Sequence, residues 1–247
     1  MRDMTTTSAA QHLQVSERQV ERLAQAGELT VTRTVAGALL IDAASVHRLA
    51  QTDRHSGRPA TAATAWAALT LLSGERVGWL DRPALSRLRH RLRGADANSL
   101  CWLTRRRATV HRMQGWGNDD GLLPTGVSAL RDPAMSALFD LTPVERGSDG
   151  YVRASDFNDL VTTLGLFDDT EGSMTVRVVP DNAGYTVDHV LVAAVAADLA
   201  ESLDARESAA GKRVLNSLLN DFRSSDGHLN RDKTARHSAD RADGRTS

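Results

Sequence analysis

Apolar residues near the start of the chain recur at the spacing of a helix and predict two short helices. The residues that share one face are Ala9, Ala10, Leu13, Val20 and Leu23. Ser16 stands three residues before Gln19, which is the spacing of a capping box, so we expect the second helix to begin there. Gly27 is suited to end that helix in the left-handed conformation. We expect residues 1–6 to be frayed.

A strand–turn–strand pattern follows the second helix. Residues 29–33 alternate and are β-branched, residues 35–38 are typical of a turn, and residues 39–41 return as a second strand. Asp42 then caps a third helix that buries Val46 and Leu49. Residues 7–51 therefore predict two helices, a β-hairpin and a third helix.

This stretch resembles the excisionase-like and MerR-like family of winged helix-turn-helix proteins. The shared motifs occur in the order Ala-Ala, Leu-x-Val-Ser, Val-x-x-Leu, Gly-x-Leu and Ile-Asp. The resemblance implies a domain that places its second helix in a groove of double-stranded DNA, with the hairpin as a wing.

The second helix and the hairpin supply the candidate DNA contacts. Side chains near the start of a helix in the major groove reach base edges, where arginine and glutamine read guanine and adenine. Hydroxyl and arginine side chains on the cap and the wing suit phosphate or minor-groove contacts. The candidate DNA-binding residues are Ser16, Glu17, Arg18, Gln19, Arg22, Arg33 and Thr34. The alternative is a small domain that makes protein contacts, since residues 1–54 carry no net charge.

Charge is strongly segregated along the chain, although the net charge is only −1. Residues 82–112 hold nine arginines against Asp96 alone, whereas residues 113–221 carry a net charge of −11. The arginine block is either a surface for phosphate or an acidic partner, or else a solvated face or an intramolecular partner of the acidic half. The candidate basic patch comprises Arg87, Arg91, Arg105 and Arg106.

The whole pattern predicts an α+β protein that is mainly helical with small β elements. We expect a winged helix-turn-helix domain at 1–52, a linker at 53–64, a mainly helical α+β domain at 65–220 and a disordered tail at 221–247. A helix that starts at Asp96 is expected to continue through Val110 and Met113. Residues 151–153 and 174–179 are predicted strands, and residues 122–150 show no regular pattern.

The second domain resembles AbiEi-type antitoxin regulators over residues 65–219. The motifs that carry this resemblance are Tyr151-Val152-Arg153-Ala154, Val176-Arg177-Val178-Val179-Pro180, and residues 195–202 followed by Asp204-Ala205-Arg206. It implies an autoregulatory repressor that acts on its own operator and serves as the antitoxin of a type IV toxin–antitoxin system. It also implies a nucleotidyltransferase toxin, encoded nearby, as a partner.

Enzyme and cofactor signals are weak. The eight histidines are scattered without metal-ligand spacing, and the chain has no phosphate-binding, dinucleotide or nucleophile motif. We therefore expect no enzymatic activity, no cofactor and no metal. The single cysteine, Cys101, favours a reducing cytoplasm and a buried, unreactive thiol. The longest apolar stretch, residues 190–197, is far shorter than the roughly 20 residues of a membrane span, so we expect no membrane contact.

The sequence favours a sequence-specific DNA-binding transcriptional regulator. Because phosphate neutralisation supplies much of the affinity for DNA, a neutral domain should bind weakly alone. We therefore expect either a homodimer or a second basic surface. The alternative function is an adaptor whose basic and acidic blocks dock a protein partner without sequence-specific DNA binding.

Overall fold

The computed structural model describes residues 3–13, 15–35, 38–51, 59–115, 119–143 and 147–243. Its helices pack on two sheets whose strands pair mainly antiparallel, so the fold class is α+β. Among the described residues, no helix is long and apolar enough to cross a membrane.

The first six elements form a small unit around one antiparallel sheet. They are β1 (Asp3–Thr5), α1 (Thr6–Leu13), α2 (Glu17–Gln25), β2 (Val31–Val35), β3 (Ala38–Asp42) and α3 (Ala43–Gln51). The predicted hairpin is β2–β3, and the strand order is β1-β3-β2. Residues 3–5 are therefore a strand, although we expected them to be frayed. The hairpin leaves the outer edge of β3 unpaired, and β1 supplies the missing partners.

The small core of this unit explains where the helices lie. Ala9, Val20 and Ile41 are fully buried in one cluster that joins α1, α2 and β3. Gly27 follows α2 with φ +70°, as its position predicted. Both carboxylate oxygens of Asp42 accept backbone N–H groups, from Ala44 and Ser45 at 3.1 Å each, and so begin α3.

A larger unit follows, built from helices on a second sheet. Its elements are α4 (Ala62–Leu72), α5 (Arg82–Arg93), α6 (Ala97–Thr104), β4 (Thr109–Gln114), β5 (Leu123–Pro124), α7 (Gly126–Ala129), α8 (Pro133–Phe139), β6 (Ser148–Arg153), α9 (Phe157–Leu164), β7 (Phe167–Asp168), β8 (Met174–Val179), a 3₁₀ turn (Asp181–Ala183), α10 (Val192–Ala200) and α11 (Ala205–Asp243). The sheet order is β5-β6-β8-β4-β7, with β6 and β8 parallel.

The two faces of this sheet pack on different cores. Val152 and Val176 face α9 in a smaller cluster. Tyr151 and Val179 belong to the main cluster, which the helices α4, α6, α10 and α11 complete. Alternation along β8 therefore turns Arg177 towards the helical layer, where it is buried.

The structure changes three expectations in this unit. The helix that begins after Asp96 ends at Thr104, because residues 109–113 of strand β4 pair with β8. Helix α4 already begins at Ala62, capped by Thr61, inside the predicted linker 53–64. Residues 53–58 of that linker lie outside the described residues. Residues 122–150, for which we predicted no regular pattern, contain β5, α7, α8 and the start of β6.

The boundary of the C-terminal tail also differs from the prediction. Helix α11 runs through the predicted disordered segment 221–247 as far as Asp243, and residues 244–247 lie outside the described part. Phe222 packs against the main core, and the guanidinium of Arg223 donates to the carbonyl oxygens of Arg93 and Ala95. These tertiary contacts help to offset the cost of ordering Phe222 and Arg223, which composition alone did not reveal.

Candidate functional site

Helix α2 exposes most of the side chains that we predicted to contact DNA. Val20 is fully buried and fixes the rotation of the helix about its own axis. Ser16, Glu17, Arg18 and Arg22 are consequently exposed, while Gln19 is half-buried. The exposed face combines two acidic side chains, Glu17 and Glu21, with the two basic ones within six residues.

Ser16 caps the start of α2 as the sequence predicted, but the Gln19 side chain bonds Arg22 in place of the Ser16 backbone. The Ser16 hydroxyl oxygen accepts the backbone N–H of Gln19 at 3.3 Å. The side-chain oxygen of Gln19 accepts from the guanidinium of Arg22, one turn further along the helix. This bond ties two of the candidate base-reading side chains to each other and limits the rotamers they adopt.

The hairpin residues lie on a second exposed edge. Arg33 is 67% exposed and pairs loosely with Asp3 at 3.4 Å, so its guanidinium remains accessible to solvent. Thr34 lies in β2 opposite Leu39, and its side chain is outside the described part of the structure. The Thr32 hydroxyl donates to the Leu40 carbonyl oxygen across the hairpin at 3.1 Å and stiffens it.

The structure divides the candidate basic patch into two pairs of arginines. Arg87 and Arg91 are exposed on α5. Arg105 and Arg106 follow α6 and instead bind Glu28, just beyond α2, with N–O distances of 3.2 and 2.9 Å. The Glu28 carboxylate is only 9% exposed, and burial lowers the pKa of Arg105 while Glu28 opposes that shift. Arg105 and Arg106 therefore connect the two units of the chain.

The third arginine of that run, Arg107, lies inside the larger unit. Its guanidinium binds both oxygens of Glu201 at 2.9 Å and also contacts Asp198. Its Nε donates to the Tyr151 hydroxyl at 3.0 Å. Trp66 Nε1 donates to the Arg107 carbonyl oxygen at 2.8 Å, so the backbone is held as firmly as the side chain.

Arg177 extends this buried network across the sheet. It binds Asp149 through two hydrogen bonds, of 2.7 and 3.0 Å, and approaches Asp198 at 3.1 Å. The Thr125 hydroxyl donates to the second oxygen of Asp198. Two arginines and three carboxylates thus form one connected cluster between the strands and α10.

The electrostatics of the cluster follow from burial and pairing. Burial by itself would raise the pKa of Asp198, but Arg177 and Arg107 hold it below the ordinary value. Burial raises the pKa of Tyr151 well above the ordinary value, so its hydroxyl stays neutral and accepts from Arg107. Every carboxylate of the cluster is engaged by an arginine, and we interpret the cluster as a device that orients α10 on the sheet.

Sequence reasoning missed this cluster, although two signals point to it. Arg177 interrupts a run of valines in β8, and Asp198 interrupts the alanine-rich run of α10. When the hydrophobic periodicity places a charged side chain at a buried position, that side chain requires a partner of opposite charge. The intramolecular alternative for the arginine block therefore holds for Arg107, which binds two carboxylates of the acidic half.

Two further chemical features bear on catalysis. Burial raises the pKa of the Cys101 thiol to about 12, so the thiol stays protonated and is a poor nucleophile. Within the described ranges, no group of three or more histidine, cysteine or acidic side chains is placed to hold a metal ion.

Comparisons of the chain with protein-family models, with curated proteins and with solved structures give no significant match.

Proposed function

We propose that the protein is a sequence-specific DNA-binding transcriptional regulator that acts on its own operator. In this proposal residues 7–51 act as a winged helix-turn-helix domain in which α2 reads the major groove and the β2–β3 hairpin is the wing. The observation that carries the proposal is the face of α2, where Arg18 and Arg22 are exposed beside a serine-capped helix start. Donors in this position reach base edges when a helix lies in the groove.

An electrophoretic shift of the DNA upstream of the protein's own gene tests the proposal. We expect the variants Arg18→Ala and Arg22→Ala each to lose about five- to 150-fold in affinity, because one bidentate base contact accounts for about 1–3 kcal/mol of discrimination. Arg76→Ala serves as the control, since Arg76 is an exposed arginine outside this unit. An unchanged shift in both α2 variants would remove the assignment of α2 as the reading helix.

A more specific role follows from the resemblance of the second unit to AbiEi-type regulators. In this role the protein is the antitoxin of a type IV system whose toxin is a nucleotidyltransferase encoded nearby. Co-expression with the product of the neighbouring gene tests it: the full chain should relieve the growth arrest that the product causes. Growth arrest that persists in the presence of the protein would contradict the antitoxin role and leave DNA binding intact.

The second candidate function is an adaptor that docks a protein partner. The neutrality of residues 1–54 favours it, because a domain without net positive charge gains little from phosphate contacts. A stoichiometric partner that co-purifies with the protein, together with the absence of salt-sensitive DNA binding, would favour the adaptor over the regulator.

A further inference from the structure

Helix α5 presents a strongly basic surface that the proposed reading unit does not include. It carries five arginines and one histidine within twelve residues, and neither aspartate nor glutamate. Leu88 and Leu92 are buried and fix one side of the helix against the main core. The opposite side is therefore an open cationic face.

The arginines are arranged in two rows along this face. Helical periodicity places Arg87 and Arg91 on one flank, one turn apart, and both are exposed. Arg82, Arg89 and Arg93 fall on the other flank. Ser86 and His90, which are also exposed, lie between the two rows. The spacing offers cations on both sides of a helix about 10–12 Å across.

The stability of α5 does not account for this arrangement. Cations in the last turn suit the helix dipole, but Arg82 lies in the first turn, where the dipole favours acidic side chains and none is present. Arg87 and Arg91 are like charges four residues apart, a pair that destabilises a helix by a few tenths of a kcal/mol. The charges carry a local cost in helix stability, which favours a function outside the helix.

Carboxylates of the same chain do not neutralise the exposed row. Neither Arg87 nor Arg91 has an ion-pair partner among the residues that the structure describes. The buried carboxylates of the acidic half are occupied by Arg107 and Arg177, and Glu28 is occupied by Arg105 and Arg106. The intramolecular alternative for the arginine block therefore does not cover Arg87 and Arg91.

We infer that the exposed face of α5 binds the phosphates of double-stranded DNA next to the site that α2 reads. This inference rests on the proposed function. The reading unit carries no net charge and needs phosphate contacts from elsewhere, and DNA offers one negative charge per about 1.7 Å of helix axis. The contact of Glu28 with Arg105 and Arg106 joins the reading unit to the unit that carries α5, so both elements can act on one DNA molecule.

The salt dependence of binding tests the inference on the full chain. The dissociation constant for the duplex upstream of its own gene is measured from 50 to 200 mM salt for the wild type and for Arg87→Ala/Arg91→Ala. Each lost phosphate contact reduces the magnitude of the slope of log K against log salt by about 0.9. The slope of the double variant should therefore be smaller in magnitude than that of the wild type by about 2. Its preference for that duplex over a scrambled one should remain, because phosphate contacts carry no sequence information.

The double variant Arg76→Ala/Arg206→Ala is the matched control. It removes two exposed arginines from outside α5 and changes the net charge equally, so its slope should equal that of the wild type. Circular dichroism of all variants checks that each remains folded.

The outcomes separate this inference from the proposed function. A wild type that binds with an unchanged slope in Arg87→Ala/Arg91→Ala overturns the role of α5 and leaves the regulator intact. A wild type that binds neither duplex overturns both. Capture of an acidic protein that Arg87→Ala/Arg91→Ala abolishes, with the DNA slope unchanged, assigns the face to a protein partner and also overturns the inference.

Discussion

Arg107 joins three elements of the larger unit. Its side chain joins β6 through Tyr151 and the end of α10 through Asp198 and Glu201, and its carbonyl oxygen binds Trp66 of α4. The side chains of Arg107 and Asp198 are almost fully buried. In the protein interior, a charge that loses its partner lowers the stability of the fold far more than an unpaired charge in water does.

Replacement of this arginine tests its structural role. Arg107→Met should lower the free energy of unfolding by about 3–5 kcal/mol, because Asp198 would keep its negative charge in the core with fewer partners. Urea unfolding followed by circular dichroism measures the change. The matched control is Arg153→Met, an arginine that is 45% exposed and pairs loosely with Asp181, for which we expect a change of about 1 kcal/mol or less. A loss equal to that of the control would contradict the role.

The effect of pH on the free energy of unfolding of the wild type and Arg107→Met can be predicted in sign. The pKa of Asp198 is depressed in the folded wild type, so its contribution to stability is fully present above the unfolded pKa and is lost as the pH falls through the folded pKa. Without Arg107 the pKa of Asp198 rises, and protonation then relieves the buried charge. The difference in stability between the wild type and Arg107→Met should therefore narrow as the pH is lowered towards about 4.

At the scale of elements, α11 combines a packed first part with a polar continuation. Leu215 and Leu219 are fully buried, and Phe222 and Arg223 provide the last contacts described with the rest of the unit. Residues 226–247 contain one leucine and no larger apolar side chain, so they have little apolar surface to bury. The packed part should therefore end near Arg223.

Two truncations test where α11 ceases to stabilise the fold. A chain that ends at Ser225 should keep the wild-type free energy of unfolding. A chain that ends at Asn220 should lose on the order of 1–3 kcal/mol, because it lacks Phe222 and the Arg223 hydrogen bonds. Equal stability of the two truncated chains in urea unfolding would show that the contacts beyond Asn220 contribute little.

At the scale of the whole molecule, one buried carboxylate links the two units. Glu28 follows directly after the turn that ends α2, and Arg105 and Arg106 follow directly after α6. Each partner thus lies at the end of a helix whose other residues are fixed by a core. This contact limits how the small N-terminal unit turns relative to the larger unit.

Neutralisation of Glu28 should weaken the link between the units. In Glu28→Gln the contact loses its ion pair with Arg105 and the charge on its hydrogen bond with Arg106, at an expected cost on the order of 1–3 kcal/mol, and the particle should lengthen in small-angle X-ray scattering. Glu21→Gln is the matched control, because Glu21 is exposed on α2. An identical maximum dimension for Glu28→Gln and Glu21→Gln would show that the carboxylate does not hold the units together.

Local patterns in the sequence were sufficient for much of the fold. The start of α2 at its serine cap, the β2–β3 hairpin, the cap at Asp42 and the strand at 174–179 were all predicted and are present. These features depend on residues within a few positions of one another, and periodicity or capping chemistry encodes them directly. The exposure of Arg18 and Arg22 follows in the same way from the burial of Val20.

Only the tertiary structure decided which arginines form buried ion pairs and which remain exposed. Residues 105–107 were predicted as one helical run, yet two of them bind Glu28, 78 or so positions away, and Arg107 binds Asp198 and Glu201, more than 90 positions away. Periodicity shows which face of an element is buried, but it does not show which distant side chain lies opposite. Arg87 and Arg91 belong to the same arginine block at residues 82–112 but remain exposed, because α5 turns its leucines, and not its arginines, to the core.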